Sequence, residues 1–228
     1  EGARVAITGR NKATLEAAAN ELGPNALAIV ADANDIAATE AAIKQAVAKF
    51  GKLDVVFANA GIPGGTPLGD TALEAFEKVI RTNLTAVFFT VQAAVPHLND
   101  GASIILNGSV ISVLGNPGYS AYAASKAGVR AMARVMASEL SPRNIRVNVV
   151  APGAVRTPIW GAATATPEAE KVFEKRIGAT TPLGRIGEPD HISKTVLFLA
   201  SDDSAHVQGQ ELFVDGGATA SPAGAPIY

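Results

Sequence analysis

Three side chains within one short stretch could move a proton. From Ser109 to Lys126 the chain reads Ser-Val-Ile-Ser-Val-Leu-Gly-Asn-Pro-Gly-Tyr-Ser-Ala-Tyr-Ala-Ala-Ser-Lys. Tyr122 and Lys126 are four residues apart, so a helix places both on one face. Ser109 follows a short β-branched run, 103–106, closed by Asn107-Gly108, which reads as a buried strand. In open α/β sheets, sites form beyond the carboxyl ends of such strands. A hydroxyl, a phenol and an amine meeting there make a proton-transfer constellation.

The surrounding pattern supplies the elements that hold these groups. A Gly/Pro loop leads from the strand into a helix over 121–140, where Met132, Val135 and Met136 share a face. Upstream, strands are predicted over 4–8, 26–31 and 53–58. They alternate with helices over 12–22, capped by Asn11, and 36–50, closed by Gly51. A long helix over 72–96 precedes the site strand and carries Asn83 in an otherwise apolar half. Downstream come a strand over 145–150, a mobile-looking segment 154–187 with a short helix near 167–178, a helix over 189–199 and a strand over 210–214. The tail 218–228 reads as loose. This alternation predicts an α/β chain, a doubly wound parallel sheet with helices on both faces. Neither repeat nor linker divides it, so 1–228 reads as one domain, with 154–187 as its substrate loop.

Composition removes several function classes. The net charge is −2 with dispersed charges, which argues against nucleic acid as a partner. There is no cysteine, which excludes disulfides and thiolate chemistry. His97, His191 and His206 lack ligand-like spacing, so no metal site is expected. No apolar run is long enough to span a bilayer, so no membrane partner is expected. The two glycosylation triplets, at Asn83 and Asn107, fall in segments read as buried.

Taken in order, Asn59-Ala60-Gly61, Asn83, Ser109, Tyr122-x-x-x-Lys126 and Pro152-Gly153 followed by Thr157 resemble the short-chain dehydrogenase/reductase family over essentially the whole chain. Each motif alone is weak; the ordered set at predicted strand ends is specific. The resemblance implies a Rossmann-like fold and an oxidoreductase passing a hydride between a nicotinamide cofactor and a ketone or aldehyde–alcohol pair. Tyr122 would be the general acid and base. Lys126 would lower its pKa and bind the nicotinamide ribose, Ser109 would polarise the carbonyl, and Asn83 would hold a water. A satisfied helix-interior amide is the plainer reading of Asn83. The adenine side would fall to Asp32 and Ala33, its ribose to Asn59, Ala60 and Gly61, and the nicotinamide side to Pro152, Gly153, Val155 and Thr157. Arg10 and Asn11, at the end of the first strand, offer a guanidinium and no acid, which favours NADP over NAD. Leu114, Tyr119, Ile159 and Trp160 would line a mainly apolar substrate pocket. The runs 182–185, 198–202 and 214–217 resemble bacterial alcohol dehydrogenases, carbonyl reductases and 3-oxoacyl reductases. The resemblance further implies a cytoplasmic homotetramer or homodimer paired through the helices at 72–96 and 121–140.

One family feature has no match. The strand, glycine-rich turn and helix that cradle the pyrophosphate have no counterpart, since Thr8-Gly9 is followed by Arg10-Asn11-Lys12 rather than spaced glycines. The sequence opens at Glu1, close to its first strand, and is expected to begin inside a longer chain. In the family the unmatched strand lies between the strands at 4–8 and 53–58. Its absence predicts a gap of roughly 10 Å between them and two unpaired edges. An alternative reading follows: a non-catalytic or cofactor-defective binding protein on the same fold.

Overall fold

Short apolar runs and the helices between them form a β–α alternation. The computed structural model describes residues 2–221. In order it holds β1 (Val5–Gly9), α1 (Lys12–Leu22), β2 (Ala26–Val30), α2 (Ile36–Phe50), β3 (Leu53–Ala58), α3 (Leu73–Ile80), α4 (Ala86–Ala94), β4 (Leu98–Asn107), α5 (Ser120–Leu140), β5 (Arg146–Pro152), α6 (Pro167–Gly178), α7 (Pro189–Ala200) and β6 (Glu211–Val214). The helix starts follow capping chemistry. Asn11 Oδ1 accepts from the Thr14 N–H at 3.2 Å, and Asp35 Oδ1 from the Ala38 N–H at 3.0 Å. Gly23 and Gly51 stop α1 and α2 at φ of 83° and 86°, where a side chain would be strained.

The strands pair in parallel but form two sheets, β1-β2 and β3-β4-β5-β6. No ladder joins β1 to β3 among the described residues, in agreement with the expected gap. Val5 on β1 and Val55 and Phe57 on β3 stay 37–40% exposed. The two sheets are tied by α2 packing on α4. Polar contacts add to this: Arg81 Nη2 donates to the Asn34 carbonyl at 3.3 Å, and the Thr82 hydroxyl to Asn34 Oδ1 at 3.1 Å.

Alternation along β4 and β5 fills two cores. Ile104, Leu106, Val147 and Val149 face α4 and α5 with Val91, Val129 and Ala133. Ile105 and Val150 turn to the other face and meet Leu199 on α7. Each of these isoleucines and leucines is fully buried, a gain of about 2 kcal/mol apiece. Helices therefore cover both faces of the four-stranded sheet.

Three expectations change. The helix expected over 72–96 is not uniform: Arg81–Thr85 forms a π turn between α3 and α4, and Val95–His97 tightens to a 3-10 turn at Pro96. The segment 154–187 is tied at its base. Val155 pairs with Gly187, the Arg156 N–H donates to Gly187 at 2.9 Å, and the Gly187 N–H donates to Ala154 at 2.8 Å. The tail is anchored through 221, because Asp215 Oδ2 accepts from both the N–H and the hydroxyl of Thr219, at 2.8 and 2.7 Å. The rest of the expected loose tail, 222–228, lies outside the described residues.

Candidate active site

The carboxyl ends of β1, β2 and β3 open on one cleft of about 950 Å³. It gathers Thr8, Gly9 and Arg10 from the first end, Asp32, Ala33 and Asn34 from the second, and Ala60, Gly61 and Ile62 from the third. Asp32 is held in orientation, its Oδ1 accepting from the Asn34 N–H at 2.9 Å. Asn11 stands apart from this set, its side chain committed to capping α1.

β4 ends at Asn107, and its continuation presents Ser109. The Ser109 Oγ accepts from the Ile111 N–H at 3.3 Å and starts a 3-10 turn, Val110–Ser112. α5 supplies Tyr122 and Lys126. The start of α5 is held from a distance: buried Thr66 accepts at Oγ1 from the Ala121 N–H at 2.9 Å, and its own N–H donates to Gly118 at 2.6 Å. This satisfies a helix-end donor that no local side chain caps.

The geometry brings together the four residues expected to be catalytic. The Ser109 hydroxyl lies near enough to the Tyr122 phenol to favour its charged form. The Lys126 amine lies 5.7 Å from the centre of the Tyr122 ring and donates to the Asn107 carbonyl at 2.7 Å. Asn83 is fully buried in the π turn and clamps Ile62, accepting from its N–H at 2.8 Å and donating to its carbonyl at 2.9 Å. Both functions of this side chain are directed at Ile62, as the plainer reading of a satisfied amide expects. Gly61 fits tightly beside them, since a Cβ there would sit 3.3 Å from Asn83 Oδ1 and 3.7 Å from Lys126 Nζ.

Electrostatics alters one expectation. Burial pushes the Tyr122 phenol above its usual pKa of 10.0, and the Ser109 hydroxyl offsets only part of this. The phenol was expected to be lowered by Lys126. Instead burial pushes Lys126 itself down to about 8. At neutral pH the phenol holds its proton, which is the state a general acid needs.

The residues present leave one buried acceptor that a dinucleotide could satisfy. Asn107 leaves its Oδ1 buried with no hydrogen-bond partner, while its Nδ2 donates to Asn59 Oδ1 at 2.8 Å. An unsatisfied acceptor between Asn59 and Lys126 invites a hydroxyl or amide donor. Gly153 lets the Asp215 backbone pack closely, since a Cβ there would fall 2.8 Å from Asp215 Cα. Val155 and Thr157 follow at the closed base of 154–187. No glycine-rich turn leading into a helix borders the cleft among the described residues.

Of the substrate candidates, Tyr119 lies edge-on to Tyr122 with ring centres 6.5 Å apart. Trp160 anchors α6: its indole N–H donates to the Val155 carbonyl at 2.7 Å, and its ring packs 4.7 Å from that of Phe173. Ile159 is exposed and Leu114 half-buried. A second cleft of about 700 Å³, lined by Thr66 to Ala72, Phe76 and Ser120, opens beside the start of α5. Thr66 and Asn107 escaped sequence reasoning as site residues. Asn107 stood in view at the end of the site strand, whereas nothing local marks Thr66.

The whole-chain comparisons agree with this geometry. A family model described as enoyl-(acyl carrier protein) reductase matches residues 1–219. The 3-oxoacyl-(acyl-carrier-protein) reductase FabG of Thermotoga maritima is 42% identical over 177 residues, covering 77% of this chain and 70% of the relative. The 3alpha-hydroxysteroid dehydrogenase of Mediterraneibacter gnavus is 40% identical over 224 residues, covering 95% and 87%. The crystal structure of a blue fluorescent protein from a metagenomic library in complex with NADPH superposes with a TM-score of 0.86 at 36% identity, over 95% of this chain and 88% of that one. This chain belongs to the short-chain dehydrogenase/reductase family.

Proposed function

We propose that the protein interconverts a ketone or aldehyde and the corresponding alcohol with NADP(H), with Tyr122 as general acid and base. The observation that carries this reading is the convergence of Ser109, Tyr122 and Lys126, with Asn83 and Gly61 packed against the amine. Bound NADPH would supply the hydride. Arg10, at the cleft rim and without a neighbouring acid at the end of β1, suits a 2′-phosphate. Asp32 and Ala33 would hold the adenine end, Asn59, Ala60 and Gly61 its ribose, and Lys126 and Asn107 the hydroxyls near the reacting centre. Pro152, Gly153, Val155 and Thr157 would border the nicotinamide. Ser109 donates to the substrate carbonyl oxygen, and Tyr122 delivers its proton to that oxygen as charge develops. Trp160 and α6, in the expected substrate loop 154–187, would border the substrate.

Two of the relatives are named for a 3-oxoacyl group and a 3-hydroxysteroid, both ketone or secondary-alcohol chemistry. With Tyr119 as one wall, this supports secondary alcohols and bulky ketones as the substrate class. The exposed Phe88 on α4 and Val135 on α5 support assembly of copies through these helices. The test is initial-rate NADPH and NADH oxidation against a panel of cyclic ketones, 3-oxosteroids and 3-oxoacyl thioesters. Ketone-dependent oxidation, lost by about a hundredfold or more in Tyr122→Phe, is expected. No substrate-dependent rate, or a Tyr122→Phe variant as fast as wild type, would overturn the reading.

A further inference from the structure

Glu211 opens β6, the edge strand of the larger sheet, and its side chain is only 5% exposed. No step above uses it. Its Oε1 accepts from the Ser112 hydroxyl at 2.8 Å. Its Oε2 lies 3.7 Å from Nη1 of Arg130. These two partners belong to the two elements that must meet for chemistry. Ser112 closes the turn that begins at Ser109, its N–H donating to the Ser109 carbonyl at 2.9 Å. Arg130 follows Lys126 by four residues and Tyr122 by eight, on the same face of α5. The carboxylate also lies under the backbone that leads to Ser109. A Cβ on Gly108 would sit 3.4 Å from Oε1 and 2.6 Å from Val149 Cγ1.

We propose that Glu211 is a positioning residue that sets Ser109 against Tyr122 by holding Ser112 and Arg130 at once. The turn and the helix belong to the one crossover from β4 to β5, but residues 113–119 separate them, so side-chain contacts help to fix their spacing at the site. The placement of the Ser109 hydroxyl beside the Tyr122 phenol tolerates little displacement, and a shift of about 1 Å can cost a hundredfold in rate. A buried carboxylate suits this task, because losing Arg130 leaves an uncompensated charge and losing Ser112 leaves a buried oxygen without its hydrogen bond. The alternatives, a slipped turn or a rotated helix, are thereby disfavoured.

The kinetic part of this proposal rests on the oxidoreductase reading; the structural part does not. The chain has three tyrosines, Tyr119, Tyr122 and Tyr228. Tyrosine carrying carbon-13 at the phenol carbon therefore gives a spectrum simple enough to follow Tyr122 by nuclear magnetic resonance. Tyr122→Phe assigns its signal, and Ser109→Ala marks the signal without the neighbouring hydroxyl. Glu211→Leu is expected to move the Tyr122 signal most of the way to the Ser109→Ala position. It should lower kcat about tenfold with KM nearly unchanged. Glu211→Gln, whose carbonyl still accepts from Ser112 but which loses the charge facing Arg130, should recover part of both. Should Glu211→Leu fail to fold, Ser112→Ala cuts the same link and should give the same signal shift. A folded Glu211→Leu or Ser112→Ala protein with the wild-type Tyr122 signal overturns the proposal. If wild type turns over no ketone, the oxidoreductase reading fails while the resonance still decides the role of Glu211.

Discussion

Asn83 holds the backbone of Ile62 from both sides, accepting from its N–H at 2.8 Å and donating to its carbonyl at 2.9 Å. This pair of bonds fixes the end of the Asn59-Ala60-Gly61 segment against the amine of Lys126. Asn83→Leu would leave both groups of Ile62 without partners in a fully buried setting. The expected loss is about 2–4 kcal/mol of stability, read by chemical denaturation. Asn83→Asp keeps the acceptor and loses the donor, so it should fall between. A Leu variant as stable as wild type would show that this clamp contributes nothing.

Lys126 makes stability depend on pH in an unusual direction. Its folded pKa is lowered from 10.5 to about 8 by burial. Below about 8 the folded protein carries a buried ammonium at full cost. Between about 8 and 10.5 the folded state has released a proton that the unfolded chain still binds, so stability contributed at this site rises with pH. Lys126→Met removes the effect. The stability of wild type relative to Lys126→Met should therefore grow by about 3 kcal/mol from pH 7 to pH 10.5, measured by urea unfolding at each pH. A difference that stays flat across that range would contradict the burial described above.

Arg10 lines the cleft at the end of β1 and is exposed. Arg10→Ala should weaken NADPH binding about tenfold or more, the worth of one charge-assisted contact, and leave NADH binding unchanged. Fluorescence titration with each cofactor reads both values. Equal losses for the two would assign Arg10 to a general electrostatic role instead.

Trp160, the single tryptophan, reports on α6 through its packing on Phe173. Phe173→Ala removes a ring that is 4% exposed and should loosen α6 locally by about 3 kcal/mol. The expected signs are a red-shifted tryptophan emission and a raised KM with a smaller change in kcat. Unchanged emission would mean that Trp160 is held by its bond to Val155 alone.

Legibility in the sequence followed the range of each interaction. The helices at 12–22, 36–50 and 167–178 carry their stop and start signals within a few residues, in Asn11, Asp35, Thr166, Gly23 and Gly51, and their bounds could be read directly. Ser109, Tyr122 and Lys126 were readable because strand end, loop and helical spacing are local. The clamp of Asn83 on Ile62 spans 21 residues, and the hold of Thr66 on Ala121 spans 55. No local pattern marks such pairs. The raised pKa of Tyr122 escaped for a related reason. It depends on how much water the completed fold removes from the phenol, whereas the i, i+4 spacing of Lys126 shows only nearness.

The π turn at Arg81–Thr85 has a geometric consequence for the helix that contains it. Val79, Asn83, Val87 and Val91 are all buried, at intervals of four residues. In an unbroken α-helix, the twelve residues from Val79 to Val91 would turn these two side chains about 120° apart. A single extra residue taken up in one wide turn reduces that angle to about 20°. The winding surplus thus lets one stripe stay inward on both sides of the site. Removing a residue from this turn would preserve the winding of α3 against α4 while withdrawing the amide that reaches Ile62. The helix could then remain folded in phase and still lose its hold on the active site.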